Sequence, residues 1–210
     1  MAKLPEQIKT ISSENEFKLK EKGSSFISIS RPIETEEDAV IFLTSLKKKY
    51  YDATHHCYSY QFVDGTFKYS DDGEPNGTAG KRIFNAQTHF GLTNLITVVI
   101  RYYGGVKLGV GPLGKAYYDS AYQNLESSKT EEKILHAQIE IEYDFEFSNL
   151  IHHLISKYGL IIQNHLYEPK PVLICLIRYS ILDQFSSELS LSSNNKVSVQ
   201  RTETLSYRTK

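Results

Sequence analysis

The sequence predicts an α+β protein of two domains, and three observations carry that prediction. A β-branched, apolar run from Leu95 to Tyr103 lies between two glycine-rich loops and is flanked by segments of helical spacing. The polar stretch Ser127 to Lys133 (SSKTEEK) reads as a linker, dividing residues 1–133 from residues 134–210. Beyond it, strand and helix signals follow the order βαββαβ, the split-βαβ pattern of ferredoxin-like domains.

Each element has its own signal. Ser24 to Ser30 sets Phe26 and Ile29 among small polar residues, a strand that ends at Pro32. Thr35-Glu-Glu-Asp38 reads as an N-cap with an acidic first turn, before Ala39, Leu43, Leu46 and Tyr50 at helical spacing. Lys47, Lys48 and Lys49 close that helix, where cations complement its dipole. Cys57 to Val63 alternates as a strand, and Asp64-Gly65 turns the chain. Asp71 to Gly80 (DDGEPNGTAG) is loop chemistry. Lys81 to Phe90 follows as a short helix beginning near Thr78, and Lys115 to Leu125 as another after the second glycine-rich loop. The second domain reads as strands over Ile134–Phe145, Leu160–Glu168, Val172–Ile181 and Lys196–Leu205. Its helices fall at Glu146–Tyr158 and Leu182–Ser192, with Gly159 at the C-terminus of the first.

Composition narrows the function. The chain has 210 residues, 40% hydrophobic and 23% charged, which excludes disordered, collagen-like and coiled-coil chains. Its best apolar runs, Leu95–Ile100 and Val172–Ile177, are far short of the roughly 20 residues that span a bilayer. The N-terminus MAKLPEQIKT has no apolar signal region, so a cytoplasmic protein without a membrane partner is expected. Cys57 and Cys175 alone build neither a disulfide framework nor a four-thiolate zinc site.

Ten of the twelve glycines fall between Gly65 and Gly114. A chain that concentrates its capacity for positive φ in this way needs special backbone there. The net charge is only −1. Yet Lys68, Lys81, Arg82, Arg101, Lys107 and Lys115 outnumber Asp71, Asp72 and Glu74 within this stretch. Gly109-Val-Gly-Pro-Leu-Gly114 is a literal GxGxxG, but its distance from the strand, Pro112 inside it and the missing later acid argue against a dinucleotide site. A general anion-binding loop flanked by Lys107 and Lys115 survives.

Other motifs have competing readings. Asp71, Asp72 and Glu74 suit either Mg²⁺ or a solvated turn, and the turn is favoured by Asp72-Gly73 and Pro75. Neighbouring strand residues diverge, so His55 and His56 cannot share one metal, and no metal site or cofactor is expected. Arg101-Tyr102-Tyr103 suits base stacking and phosphate binding, but the motif alone slightly favours a core Tyr102 or Tyr103 and an Arg101 that caps a carboxylate such as Asp72. No GxSxG nucleophile elbow is present.

Taken together, Thr54-His-His-Cys-Tyr58, DDGEPNGTAG and Arg101-Tyr-Tyr-Gly-Gly-Val-Lys-Leu-Gly109 resemble the IMPACT family, called the YigZ family in bacteria, in its two-domain form. Asn76 and Pro112 depart from residues usual in that family, and Lys115 stands where Arg is common. The resemblance implies a first domain like ribosomal protein S5 domain 2 and a second like elongation factor G domain V. Eukaryotic members regulate translation by binding the activator of a starvation-responsive kinase, using an additional N-terminal RWD domain that is not expected here.

The expected function is therefore a translation-associated, non-enzymatic binding protein for RNA or another polyanion. The residues expected to make that contact are His55, His56, Lys81, Arg82, Arg101, Lys107 and Lys115. They would be framed by the loop residues Asp71, Asp72, Gly73, Glu74, Gly77, Gly80, Gly104, Gly105 and Gly109. The alternatives are a protein–protein regulator without nucleic acid, and a small enzyme on a phosphate or peptide substrate using Asp72, Glu74 and a histidine.

Overall fold

A computed structural model describes residues 4–167 and 169–209. They fall into two compact units, one built on Ile8–Glu132 and one on Pro5–Gln7 with the chain from Lys133 onward.

The first unit is built on an antiparallel sheet of strands β2 (Asn15–Glu21), β3 (Ser24–Pro32), β6 (Leu95–Tyr102), β4 (His55–Gln61) and β5 (Phe67–Ser70), adjacent in that order. Helix α1 (Glu36–Lys49) covers one face, packing Ala39, Phe42 and Leu46 on Ile27, Ile29, Ile96, Val98 and Ile100. Helices α2 (Gly80–His89) and α3 (Val110–Ser127) cover the other, packing Ile83, Ala86, Leu113, Tyr117 and Ala121 around Phe26, Cys57, Leu95 and Val99. Layers on both faces explain why β6 is a continuous apolar run and not an alternating one. Thr35 and Asp38 form the capping box, and the three lysines fall in the last turn of α1, as the sequence indicates.

The second unit contains β7 (Thr130–Glu142), α4 (Ser148–Tyr158), β8 (Ile161–Leu166), β9 (Val172–Arg178), α5 (Leu182–Ser192) and β10 (Ser198–Thr209). Its strands are ordered β10-β7-β9-β8 and all antiparallel, the ferredoxin-like arrangement. Ile151, Leu154, Phe185 and Leu189 of its helices bury Ile139, Ile141, Leu173 and Cys175. Strand β1 (Gln7–Ile11) also pairs with β7, and the Leu135 N–H donates to the Glu6 carbonyl at 2.9 Å.

Several boundaries differ from the sequence reading. Helix α3 begins at Val110, five residues early, because Pro112 falls in a first turn where its missing N–H costs nothing. The supposed linker shrinks to Ser128 and Lys129, since β7 starts at Thr130 and its charged residues belong to a paired strand. Strands β1, β2 and β5 gave no clear signal; β2 interleaves its lysines and glutamates with half-buried Phe17 and Leu19. Glu168, the far end of one expected strand, lies outside the described residues. No helix among the described residues is long and apolar enough to cross a membrane.

Candidate functional site

The antiparallel register of β4 and β6 sets His55 opposite Arg101 and His56 opposite Ile100. Strand alternation then sends the two histidines to opposite faces of the sheet. His55 faces the loop that precedes α2, and its Nδ1 lies 2.8 Å from the Asp72 carbonyl. A carbonyl only accepts, so Nδ1 carries the proton. His55 Nε2 is 3.8 Å from Glu74 Oε1.

That same glutamate oxygen accepts from Arg101 Nη1 at 2.5 Å and from the Tyr117 hydroxyl at 2.8 Å. Arg101 Nη2 reaches the Ser24 hydroxyl at 3.3 Å, and the Gly104 N–H donates to the same oxygen. Beneath them the Cys57 sulfur is 3.3 Å from the Tyr117 hydroxyl and 3.0 Å from the Asp71 carbonyl. Burial pushes the thiol of Cys57 and the phenol of Tyr117 far above their ordinary ranges, so both stay protonated. This is a buried network in which Arg101 is committed through its two terminal nitrogens to Glu74 and Ser24, while its Nε has no partner among the described residues.

The acidic loop is spent on backbone amides. Asp71 accepts from Gly77, Ala79 and Gly80 N–H groups at 2.8, 2.9 and 2.9 Å, closing the N-terminus of α2. Asp72 accepts the His56 N–H at 2.6 Å and holds Lys47 at 3.4 Å. His56 Nδ1 is 4.0 Å from that carboxylate, and burial lowers the histidine's pKa against the pull of Asp72. Among the described residues, no three His, Cys, Asp or Glu side chains are placed to hold a metal ion. His56, Asp72 and Arg101 therefore do not form one cluster: the first two meet, while Arg101 joins Glu74.

The N-terminus of α3 is arranged differently. Gly109, at φ +82°, turns the chain into the helix, and neither a side-chain cap nor a first-turn acid answers the amides of Val110 and Gly111. A Cβ on Gly114 would sit 3.1 Å from Arg82 Nε and 3.6 Å from the Thr78 carbonyl. The missing side chain gives the Arg82 side chain room to lie against the start of the second turn. Arg82, Lys81 and Lys107 are exposed and make no ion pair among the described residues. Lys115 is exposed too, but pairs with Asp119. Gly104 is needed for another reason: a Cβ there would lie 2.0 Å from the Gly23 carbonyl carbon.

The sequence thus named seven contact residues that the structure divides. Among the described residues Lys81, Arg82 and Lys107 make no ion pair, Lys115 is paired, and Arg101, His55 and His56 are wholly or largely drawn into the fold. Sequence reasoning missed Ser24 and the role of Tyr117, both of which serve the network through long-range contacts that no local motif announces.

Comparison with known proteins bears on the same residues. A model of the Impact N-terminal domain matches residues 22–125, the span that contains both glycine loops. An IMPACT family member of Haemophilus influenzae is 33% identical over 183 residues, covering 85% of this chain and 89% of its own. The IMPACT family member YigZ of Escherichia coli is 31% identical over 175 residues, covering 80% and 85%. A crystal structure described as that of a hypothetical protein superposes with a TM-score of 0.74 at 27% identity, covering 95% of this chain and 99% of the other.

Proposed function

This chain belongs to the IMPACT family, and we propose that it is a cytoplasmic, translation-associated binding protein that holds RNA or a similar polyanion at the N-terminal end of α3. The observation that carries this reading is the pairing of an uncapped helix N-terminus with the Arg82 side chain laid across Gly114. Unanswered amides and the helix dipole favour an anion there. Lys81 and Lys107 add charge that no carboxylate among the described residues neutralises. The neighbouring α2 N-terminus offers no such opening, because Asp71 already fills it. The link to translation comes from the family's eukaryotic members.

Fluorescence anisotropy of a labelled single-stranded RNA, titrated with the full chain across a salt series, tests the proposal. Affinity is expected to fall with salt as counterions return to the phosphates, and the slope to shrink by about 1 in Arg82→Gln. Flat anisotropy at low salt and micromolar protein overturns it.

A further inference from the structure

A second exposed feature adjoins α2, the helix that carries Lys81 and Arg82. Phe67 and Tyr69 project from one face of β5, the edge strand of the first sheet, and remain 53% and 41% exposed. Their ring planes lie within 18° of each other with centroids 6.4 Å apart. Phe84 of α2 supports both, with centroids 4.9 Å from Phe67 and 6.4 Å from Tyr69. Large rings left in water on an edge strand are a liability for a lone protein, because such edges invite pairing.

The charge around the rings says what they suit. Neither β5 (FKYS) nor α2 (GKRIFNAQTH) contains an acidic residue. Lys81 stands three residues before Phe84 and so shares its side of the helix, whereas Arg82 reaches across to α3. An aromatic shelf whose own strand and helix carry cations and no acid is complementary to a chain that alternates flat rings with phosphates. A single-stranded polynucleotide has that composition, and stacking on aromatics beside a basic track is how such chains are bound without regard to sequence.

We propose that Phe67, Tyr69 and Phe84 form a stacking platform for the bases of a single-stranded polynucleotide whose phosphates are held by Lys81 and Arg82. This rests on the polyanion reading above and adds to it the ligand's bases. The platform supplies affinity that salt does not screen, while the cations supply the part that it does.

The test uses the full chain with three probes: a single-stranded RNA homopolymer, its DNA counterpart, and inorganic polyphosphate, which has no bases. In Phe67→Ala/Tyr69→Ala, affinity for both oligonucleotides is expected to drop about tenfold, with polyphosphate binding and the salt slope unchanged. Phe67→Trp keeps a ring in place and introduces the sole tryptophan, since the natural chain has none. Its emission is expected to be quenched by either oligonucleotide and not by polyphosphate. Oligonucleotide binding that leaves the tryptophan unquenched, with affinity unchanged in the double variant, overturns the platform and spares the polyanion site. Binding of no probe overturns both. Concentration-dependent sedimentation that the double variant abolishes would assign the rings to contact between copies, and would also overturn the proposal.

Discussion

Arg101 Nη1 and Glu74 Oε1 meet at 2.5 Å with both side chains nearly sealed from water, 6% and 4% exposed. A pair this buried holds its loop in place, because removing one partner strands the other charge in the core. Glu74→Ala should therefore cost about 3–5 kcal/mol by urea denaturation. Glu74→Gln should cost less, since its amide oxygen still accepts from Tyr117. A loss below about 1 kcal/mol in Glu74→Ala would show that the pair contributes little.

The three amides gathered by Asp71 make it the cap of α2. Asp71→Ala should lower stability by about 1–2 kcal/mol. Weaker protection of the α2 amides in hydrogen exchange would locate the effect.

Cys57 is a protected thiol. Burial holds its pKa far above the ordinary range, and that of Cys175 is pushed up to about 11. Neither sulfur should react with a thiol-specific chromogenic disulfide in the native protein at pH 8, and both should react at once in denaturant. Rapid native labelling of one equivalent would contradict the buried placement of these sulfurs.

Burial lowers the pKa of His56 in the folded state. The unfolded chain then takes up a proton before the folded one does. This contribution to stability is complete above the unfolded histidine value of about 6.5 and is lost as pH falls through that value toward the folded one. Between pH 8 and 5, melting temperature should decline less steeply in His56→Gln than in the natural protein.

Gly104 and Gly77 test two kinds of glycine. Gly104→Ala drives a methyl into the Gly23 backbone and should cost about 3 kcal/mol or more. Gly77, at φ +74° with open space around it, should lose only about 1–2 kcal/mol as alanine, from backbone strain alone. Equal losses at the two sites would break the distinction.

Local chemistry made much of the fold legible. The Thr35 capping box, the doubly covered β6 run and the βαββαβ order were readable because capping, burial and periodicity are written in adjacent residues. Strand β5 was not, since its four residues are exposed or half-exposed and show no inward face. The same limit governed the site. Asp71 to Gly80 reads plainly as a loop, but its partners Arg101 and Tyr117 arrive from elements 27 and 43 residues beyond Glu74. Whether Arg101 met an external phosphate or an internal carboxylate was decided by β4–β6 register, which sequence spacing does not encode.

The hydroxyl of Tyr207 donates to the Pro5 carbonyl across 202 positions of sequence. During synthesis, then, Glu6 and Lys9 can find their partners Leu135 and Thr93 early, while Pro5 waits for the last strand to emerge. The first unit can close its own sheet much sooner, since β2 to β6 end at Tyr102. Maturation of the second unit is thereby tied to completion of translation, and a ribosome stalled before Ser198 would display a ferredoxin-like sheet lacking β10 beside β7.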